Sequence, residues 1–351
     1  MDSWYQAAVA AIDRQATDAA RARQASLTKP PGSLGRLEAL AESFAGWQGR
    51  ALPVLGRIDV CVFAADHGVA AQGVSAFPQA VTGQMLSNFA AGGAAVNVLA
   101  REHGAHLAVV DVGTLGIQAQ PFGVIEQRLA PGTDDFTRGP AMSQALLAAA
   151  LQIGRDRVDA GSSLFIGGEM GIGNTTAASA VLAALLVVEP AEVVGRGTGI
   201  DDPTLARKAN VVADGLARHA PGWRGLAEPE RCVRILADVG GLEIAALTGS
   251  MIAAAQAGVP VLVDGFITTV AALAACRLNP GVRDWLLFAH RSAETGHGRV
   301  LAALEAEPIL DLGMCLGEGS AAVLAVSIVR SALALHAGMA SFEDAGVDDG
   351  R

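Results

Sequence analysis

The chain has 351 residues, of which 51% are apolar, 4% aromatic and 42 glycine; 25 basic and 35 acidic residues leave a net charge of −10. At roughly 150 residues per domain this length fits two domains or one large α/β unit, and the composition calls for an aliphatic core threaded by close-packed loops. The acidic balance argues against a nucleic-acid surface or an anionic-membrane surface.

The N-terminus, Met1-Asp2-Ser3-Trp4-Tyr5, lacks the basic and apolar regions of a secretion signal, so a cytoplasmic protein is expected. Residues 3 to 27 read as a helix that Lys29-Pro30-Pro31-Gly32 ends, because proline cannot continue the hydrogen-bond ladder. A second helix is predicted from Ser33 through Gly46. After Pro53, short apolar runs alternate with Ala-rich helical stretches to about residue 295, the pattern of βαβ units on a parallel sheet. Strands are predicted at Ile58–Ala65, His106–Val110, Ser162–Ile166, Val259–Val263 and Trp285–Ala289. They are followed by Asp66-His67-Gly68, Asp111-Val112-Gly113, Gly167-Gly168-Glu169, Asp264-Gly265 and His290-Arg291-Ser292. In an open parallel sheet these endings share the edge where such folds bind ligands. The end helices, 3–46 and 319–341, are not interleaved with strands and are expected to form a small helical domain, residues 1–50 plus 319–351, beside an α/β unit over 51–318.

Ile244 to Val263 carries no formal charge, but Gly249, Gln256, Gly258 and Pro260 break it into helix, turn and strand, so no membrane span is expected there. Cys61, Cys232, Cys276 and Cys315 form no C-x-x-C pair and have no histidine at zinc spacing; they read as buried, reduced thiols.

Three segments carry chemistry. Gly167-Gly168-Glu169-Met170-Gly171-Ile172-Gly173-Asn174-Thr175-Thr176 runs from a strand into a helix, where backbone N–H groups and the helix N-terminus suit a phosphate. It has neither the lysine ending of a P-loop nor the spacing of a dinucleotide fold, and a bare tight turn is the other reading. Gly195-Arg196-Gly197-Thr198-Gly199 precedes a helix in which Asp202 suits the N-cap and Pro203 the first turn. Lys208, one to two turns inside it, reads equally as a phosphate partner or a solvated helix lysine. Glu318 is a carboxylate between two glycines in the apolar turn Leu310–Ser320, which also carries Asp311, and reads as either a general base or a helix-start acid.

Together with Lys29-Pro30-Pro31-Gly32-Ser33-Leu34-Gly35-Arg36-Leu37-Glu38, and with the stretch from Ala65-Asp66-His67-Gly68-Val69 through Gln79-Ala80-Val81-Thr82-Gly83-Gln84-Met85 to Gly92-Gly93-Ala94-Ala95, these motifs resemble the nicotinate-nucleotide–dimethylbenzimidazole phosphoribosyltransferases. The resemblance runs from about Lys29 to Ala334. It implies a Rossmann-like sheet domain with a small helical domain from both chain ends, a homodimer, and no metal or cofactor. It implies transfer of ribose 5-phosphate from nicotinate mononucleotide to dimethylbenzimidazole, giving α-ribazole 5′-phosphate and nicotinate for cobalamin. By the same resemblance Glu318 matches the general base and Glu169 a second carboxylate. Gly171, Gly173, Asn174, Thr175 and Thr176, with Gly197 and Lys208, match the phosphate cradle, and Ser75 and Gln84 fall in the stretch lining the base pocket. The segment near Lys29–Arg36 is expected to help close the neighbour's crevice. The acceptor stays open between dimethylbenzimidazole and another lower-ligand base such as adenine, a different benzimidazole or a phenol. An NAD-dependent oxidoreductase lacks its G-x-G-x-x-G fingerprint here, and a non-catalytic nucleotide sensor would bind the donor without releasing nicotinate.

Overall fold

β1 (Ile58–Ala65) is buried along its whole length, and the alternation of a strand sends Cys61, Phe63 and Ala65 to one apolar cluster and Val60, Val62 and Ala64 to another. The computed structural model of the chain describes residues 3–116, 120–197 and 199–348. Before β1 come α1 (Arg14–Ser26) and α2 (Arg36–Gln48), and after it α3 (Ala80–Ala90), α4 (Ala95–His103), β2 (His106–Gly113), β3 (Val124–Glu126) and α5 (Gln144–Arg155). β4 (Leu164–Met170), α6 (Asn174–Leu186), α7 (Asp202–His219), α8 (Glu230–Val239) and α9 (Leu242–Ala257) follow. The chain ends with β5 (Val261–Val263), α10 (Phe266–Leu278), β6 (Leu286–Phe288), α11 (His297–Ala303), α12 (Ser320–Gly338) and α13 (Phe342–Ala345). All six strands are parallel in the order β3-β2-β1-β4-β5-β6. The chain winds outward from β1 and then returns to β4, so strand order reverses between them.

The five predicted strands are present, β1 with the predicted bounds and the other four with altered ends. β4 runs past the predicted Ser162–Ile166, so Gly167, Gly168 and Glu169 lie within the strand, opposite Cys61, Val62 and Phe63. β2 likewise takes in Asp111, which pairs with Ala64 and Glu126. β3 was not predicted; three residues are too few to show a period.

The first predicted helix, 3–27, holds in its second half only. Only Trp4–Gln6 forms a 3-10 turn, and α1 begins at Arg14, where the Asp13 carboxylate accepts the Ala16 N–H. The alanines between are helix formers, but Ala10 donates to Ala255 O, and the Gln256 and Asn279 side chains take the carbonyls of Trp4, Tyr5 and Ala7. Tertiary bonds override the local preference. α2 begins three residues later than expected, at Arg36, and ends at Gly49, which is left-handed.

One sheet face is covered by α5, α6, α8, α9 and α10, the other by α2, α3, α4 and α12. The two chain ends meet: Arg23 in α1 donates to the carbonyls of His336, Ala337 and Met339, and Gln24 bonds His336 Nδ1 at 2.9 Å. Lys29 pairs with Glu38 at 2.8 Å, and Arg36 donates to the carbonyls of Glu307 and Pro308 in its own chain. Ile244–Val263 is α9, a turn and β5, buried except around the turn, where Ala257 is exposed. Among the described residues α12 is the one helix long and apolar enough to cross a membrane, and it shares the apolar cluster of β1 and β4.

α5 and α9 press together at two glycines. A Cβ on Gly154 would strike Ala246 O, and one on Gly249 would strike Leu151 O. Gly249→Val should force the helices apart and lower stability by about 1–3 kcal/mol, read as a lower urea midpoint at unchanged slope; an unmoved midpoint would show that the helices have room.

Candidate active site

Where strand order reverses, the carboxyl ends of the strands open into a crevice of ≈ 320 Å³. The dimensions suit a small ligand. Its wall on one side is the turn that leaves β4 and opens α6. Gly173 stands at the N-cap with φ +99, and no side chain caps the helix, so the positive end of α6 faces the crevice beside Gly171, Asn174 and Thr175. Gly197 lines the same wall.

Lys208 lies behind it, 1% exposed, with Nζ donating to Thr175 Oγ1 at 2.8 Å and to Gly195 O at 3.1 Å. It is therefore no solvated surface lysine. Burial pushes the ammonium down to about 8, although Glu294 works the other way. The helix carrying it is capped by Asp201, which accepts the Thr204 N–H, and not by Asp202 as expected. Thr176 is fully buried behind the wall, with Oγ1 unpartnered. Asn174 uses its side chain to donate to Glu169 Oε2, so it ties the glycine turn to a carboxylate.

Beneath the turn sits a pair that the sequence did not disclose. His67, at the end of β1, meets Glu243 Oε1 through Nε2 at 2.9 Å, both fully buried. Burial disfavours the imidazolium, but Glu243, aided by Asp66, more than offsets this and raises the His67 pKa. A Cβ on Gly173 would come within 3.2 Å of His67 Cβ, so the turn rests directly on this pair. The available signal was that Glu243 is the only charged residue in α9.

The facing wall holds the acids. Glu169 is buried, and burial, reinforced by Asp264, Glu243 and Glu318, raises its pKa well above the carboxylate range. Its carboxylate accepts the Glu318 N–H. Glu318 is 6% exposed and, unusually for a non-glycine residue, has φ +66, between Gly317 and Gly319, both also at positive φ. Burial raises its pKa, opposed by a hydrogen bond from the Val96 N–H in the first turn of α4, and Oε2 has no partner. A buried carboxylate with one oxygen free is equipped to take a proton from a ligand.

The third wall is apolar. Val81 and Met85, one turn apart on α3, and Phe77 face the cavity. Ser75 and Gln84 are not among the residues lining it: Gln84 is on the exposed side of α3, and Ser75 Oγ accepts the Phe77 N–H at 3.2 Å. His290, Ser292 and Glu294, after β6, complete the lining. His297 braces them: Nδ1 accepts the Ser292 N–H at 2.7 Å, Nε2 lies 3.1 Å from Thr269 Oγ1, and burial pushes its pKa down to about 3, so the ring is neutral. The four cysteines are free, but only Cys61 and Cys232 are buried; Cys315 is exposed at the crevice because the 310–318 strap crosses the surface.

A family model described as phosphoribosyltransferase matches residues 9–347. The nicotinate-nucleotide–dimethylbenzimidazole phosphoribosyltransferase of Pseudomonas putida is 54% identical over 99% of this chain and 98% of its own length. The protein of the same name from Azotobacter vinelandii is 55% identical over the same shares. A solved structure of the nicotinate-nucleotide–dimethylbenzimidazole phosphoribosyltransferase from Thermus thermophilus superposes with a TM-score of 0.88 at 43% identity, covering 97% of this chain and 100% of that one.

The buried ammonium has a measurable cost. With the Lys208 pKa lowered in the fold, the unfolded chain holds that proton more tightly, so stability rises as pH climbs from about 8 toward the ordinary 10.5. Relative to a Lys208→Met variant, the parent should gain roughly 3 kcal/mol between neutrality and that upper limit. Denaturation midpoints compared at the two pH values check this; equal pH dependence in both proteins would refute it.

Proposed function

Since this chain belongs to the nicotinate-nucleotide–dimethylbenzimidazole phosphoribosyltransferases, we propose that the crevice performs their transfer with Glu318 as general base and the Gly171–Thr176 turn as the seat of the donor phosphate. The enzyme moves the ribose 5-phosphate of nicotinate mononucleotide onto 5,6-dimethylbenzimidazole, in the synthesis of the cobalamin lower ligand. The observation that carries the assignment is the unpartnered Oε2 of a buried carboxylate at the crevice wall.

In this reading the flat acceptor lies against Phe77, Val81 and Met85 with its N–H toward Glu318. Oε2 takes the proton while the other ring nitrogen forms the bond to C1′. The C1′–pyridinium bond breaks, and its electron pair neutralises the ring nitrogen of departing nicotinate. Glu318 then passes the proton to solvent. Burial serves this step, because a carboxylate with a raised pKa is a stronger base near neutral pH. Glu169, whose raised pKa favours the protonated form, accepts the Asn174 amide and the Glu318 N–H, and so couples the donor turn to the base. The phosphate is held by backbone donors and the α6 dipole, with Lys208 supplying charge from behind.

A homodimer belongs to the same proposal. Phe77, Leu312 and Leu316 are exposed beside the crevice, an apolar rim that a second copy would cover. Sedimentation at assay concentration should give twice the chain mass of 35.6 kDa; a monomer with full activity contradicts it.

Glu318→Gln keeps the shape of the turn and removes the base. Incubated with nicotinate mononucleotide and dimethylbenzimidazole, it should release nicotinate about 10²–10⁴-fold more slowly at near-parental KM for the nucleotide. In the parent, kcat should fall with decreasing pH at a point above the ordinary carboxylate pKa, because protonated Glu318 cannot act. Near-normal turnover in the variant removes Glu318 from the mechanism.

A further inference from the structure

The base stands in a turn that its own sequence holds only in part, by the Ser320 N–H and hydroxyl donating to the Gly317 carbonyl at 3.0 and 2.7 Å. Glu318 occupies the left-handed region, and the N-cap of α12 is Gly319, which has no side chain to hold the first-turn N–H groups. Those groups are served from another element. Asp264, at the carboxyl end of β5 and 1% exposed, accepts the Ala322 N–H through Oδ1 at 2.8 Å and the Gly319 N–H through Oδ2 at 3.2 Å. Both oxygens are committed to the start of α12, and one of the two amides directly follows Glu318. From the opposite side β4 presses on the same turn: a Cβ on Gly168 would collide with the Glu318 carbonyl. The strained residue is thus held between a bare stretch of β4 and a carboxylate 54 residues away in the chain.

From this clamp we infer that Asp264 is a positioning residue for the transfer, fixing the direction of the Glu318 carboxylate through the backbone of α12. Asp264 does not line the crevice. Gly319 stands at φ +84, where an Asn or Ser cap would be strained, so the acceptors for this peptide come from outside α12 and their position bears on the residue beside it, Glu318. The inference rests on Glu318 acting as the base, and the test separates the two.

Asp264→Asn keeps size but has one acceptor oxygen, and its amide opposes the second backbone N–H. With nicotinate mononucleotide and dimethylbenzimidazole as substrates, kcat should fall about 10²-fold, the usual effect of misplacing a reacting group by about 1 Å, while KM for both substrates stays within about twofold. In the double variant with Glu318→Gln, the Asp264 substitution should cost no further turnover, because its effect passes through the side chain already removed. If Asp264→Asn does not fold, Asp264→Ser, which retains one short acceptor, is read in the same cycle. A folded variant with parental kcat, a loss confined to KM, or a full additional loss in the double variant overturns the inference. Parental turnover in Glu318→Gln alone overturns the base assignment instead.

Discussion

The structure is organised around the burial of carboxylates at the carboxyl ends of its strands. Glu169, Asp264, Glu243 and Glu318 are all at most 6% exposed, and charges in that position are costly unless hydrogen-bonded. Each is answered mainly by backbone or by a neighbouring imidazole. Asp264 takes the first amides of α12, Glu318 that of Val96 in α4, Glu169 that of Glu318 with the Asn174 amide, and Glu243 takes His67. Helix starts and acids therefore fix one another. The first N–H groups of α12 and α4 find acceptors in Asp264 and Glu318, whereas α6 opens on the crevice uncapped.

This arrangement explains the glycines at the site without appeal to flexibility. Gly168 is extended strand, and its lack of a side chain lets the Glu318 carbonyl approach β4. Gly173 turns the chain at positive φ over His67, where a side chain meets both strain and contact. A rigid cradle gives the donor and the base fixed relative positions, and fixed geometry is the main contribution a protein makes to a displacement whose leaving group is already activated. In the proposed reading the donor side rests on α6 and α7, the base on α12 and α4, and the acceptor wall on α3. The glycine turn after β4 and the Glu169–Asn174 bond join the three.

Much of this was legible in the sequence. The apolar runs placed five of six strands because a parallel strand buried on both faces is a continuous Val/Ile-rich segment. Of the polar endings, those of the β4, β5 and β6 runs reach the crevice through Glu169, Gly265, His290 and Ser292, whereas residues 66–68 and 111–113 do not line it; glycine spacing singled out the turn before α6 and the turn of Glu318. The three-residue β3 gave no period, and the extended segment before Arg14 was hidden by alanines whose N–H and C=O groups are taken by α9 and the chain after α10. On α3 the sequence indicated Gln84, yet Val81 and Met85 face the cavity, since which side of a short helix turns inward depends on what it packs against.

By itself the sequence determined the βαβ alternation and the glycine turns and carboxylates that line the crevice, because each follows from a local pattern of apolar period, glycine and charge. Only the tertiary structure decided that Asp264 caps α12, that His67 pairs with Glu243 beneath the glycine turn, that Lys208 is buried against Thr175, and that Glu318, near the Val96 amide of α4, keeps a buried Oε2 without a partner. Those are contacts between residues tens to hundreds of positions apart. Their specificity lies in the distance and angle between strand ends and helix starts, which no local run of amino acids encodes.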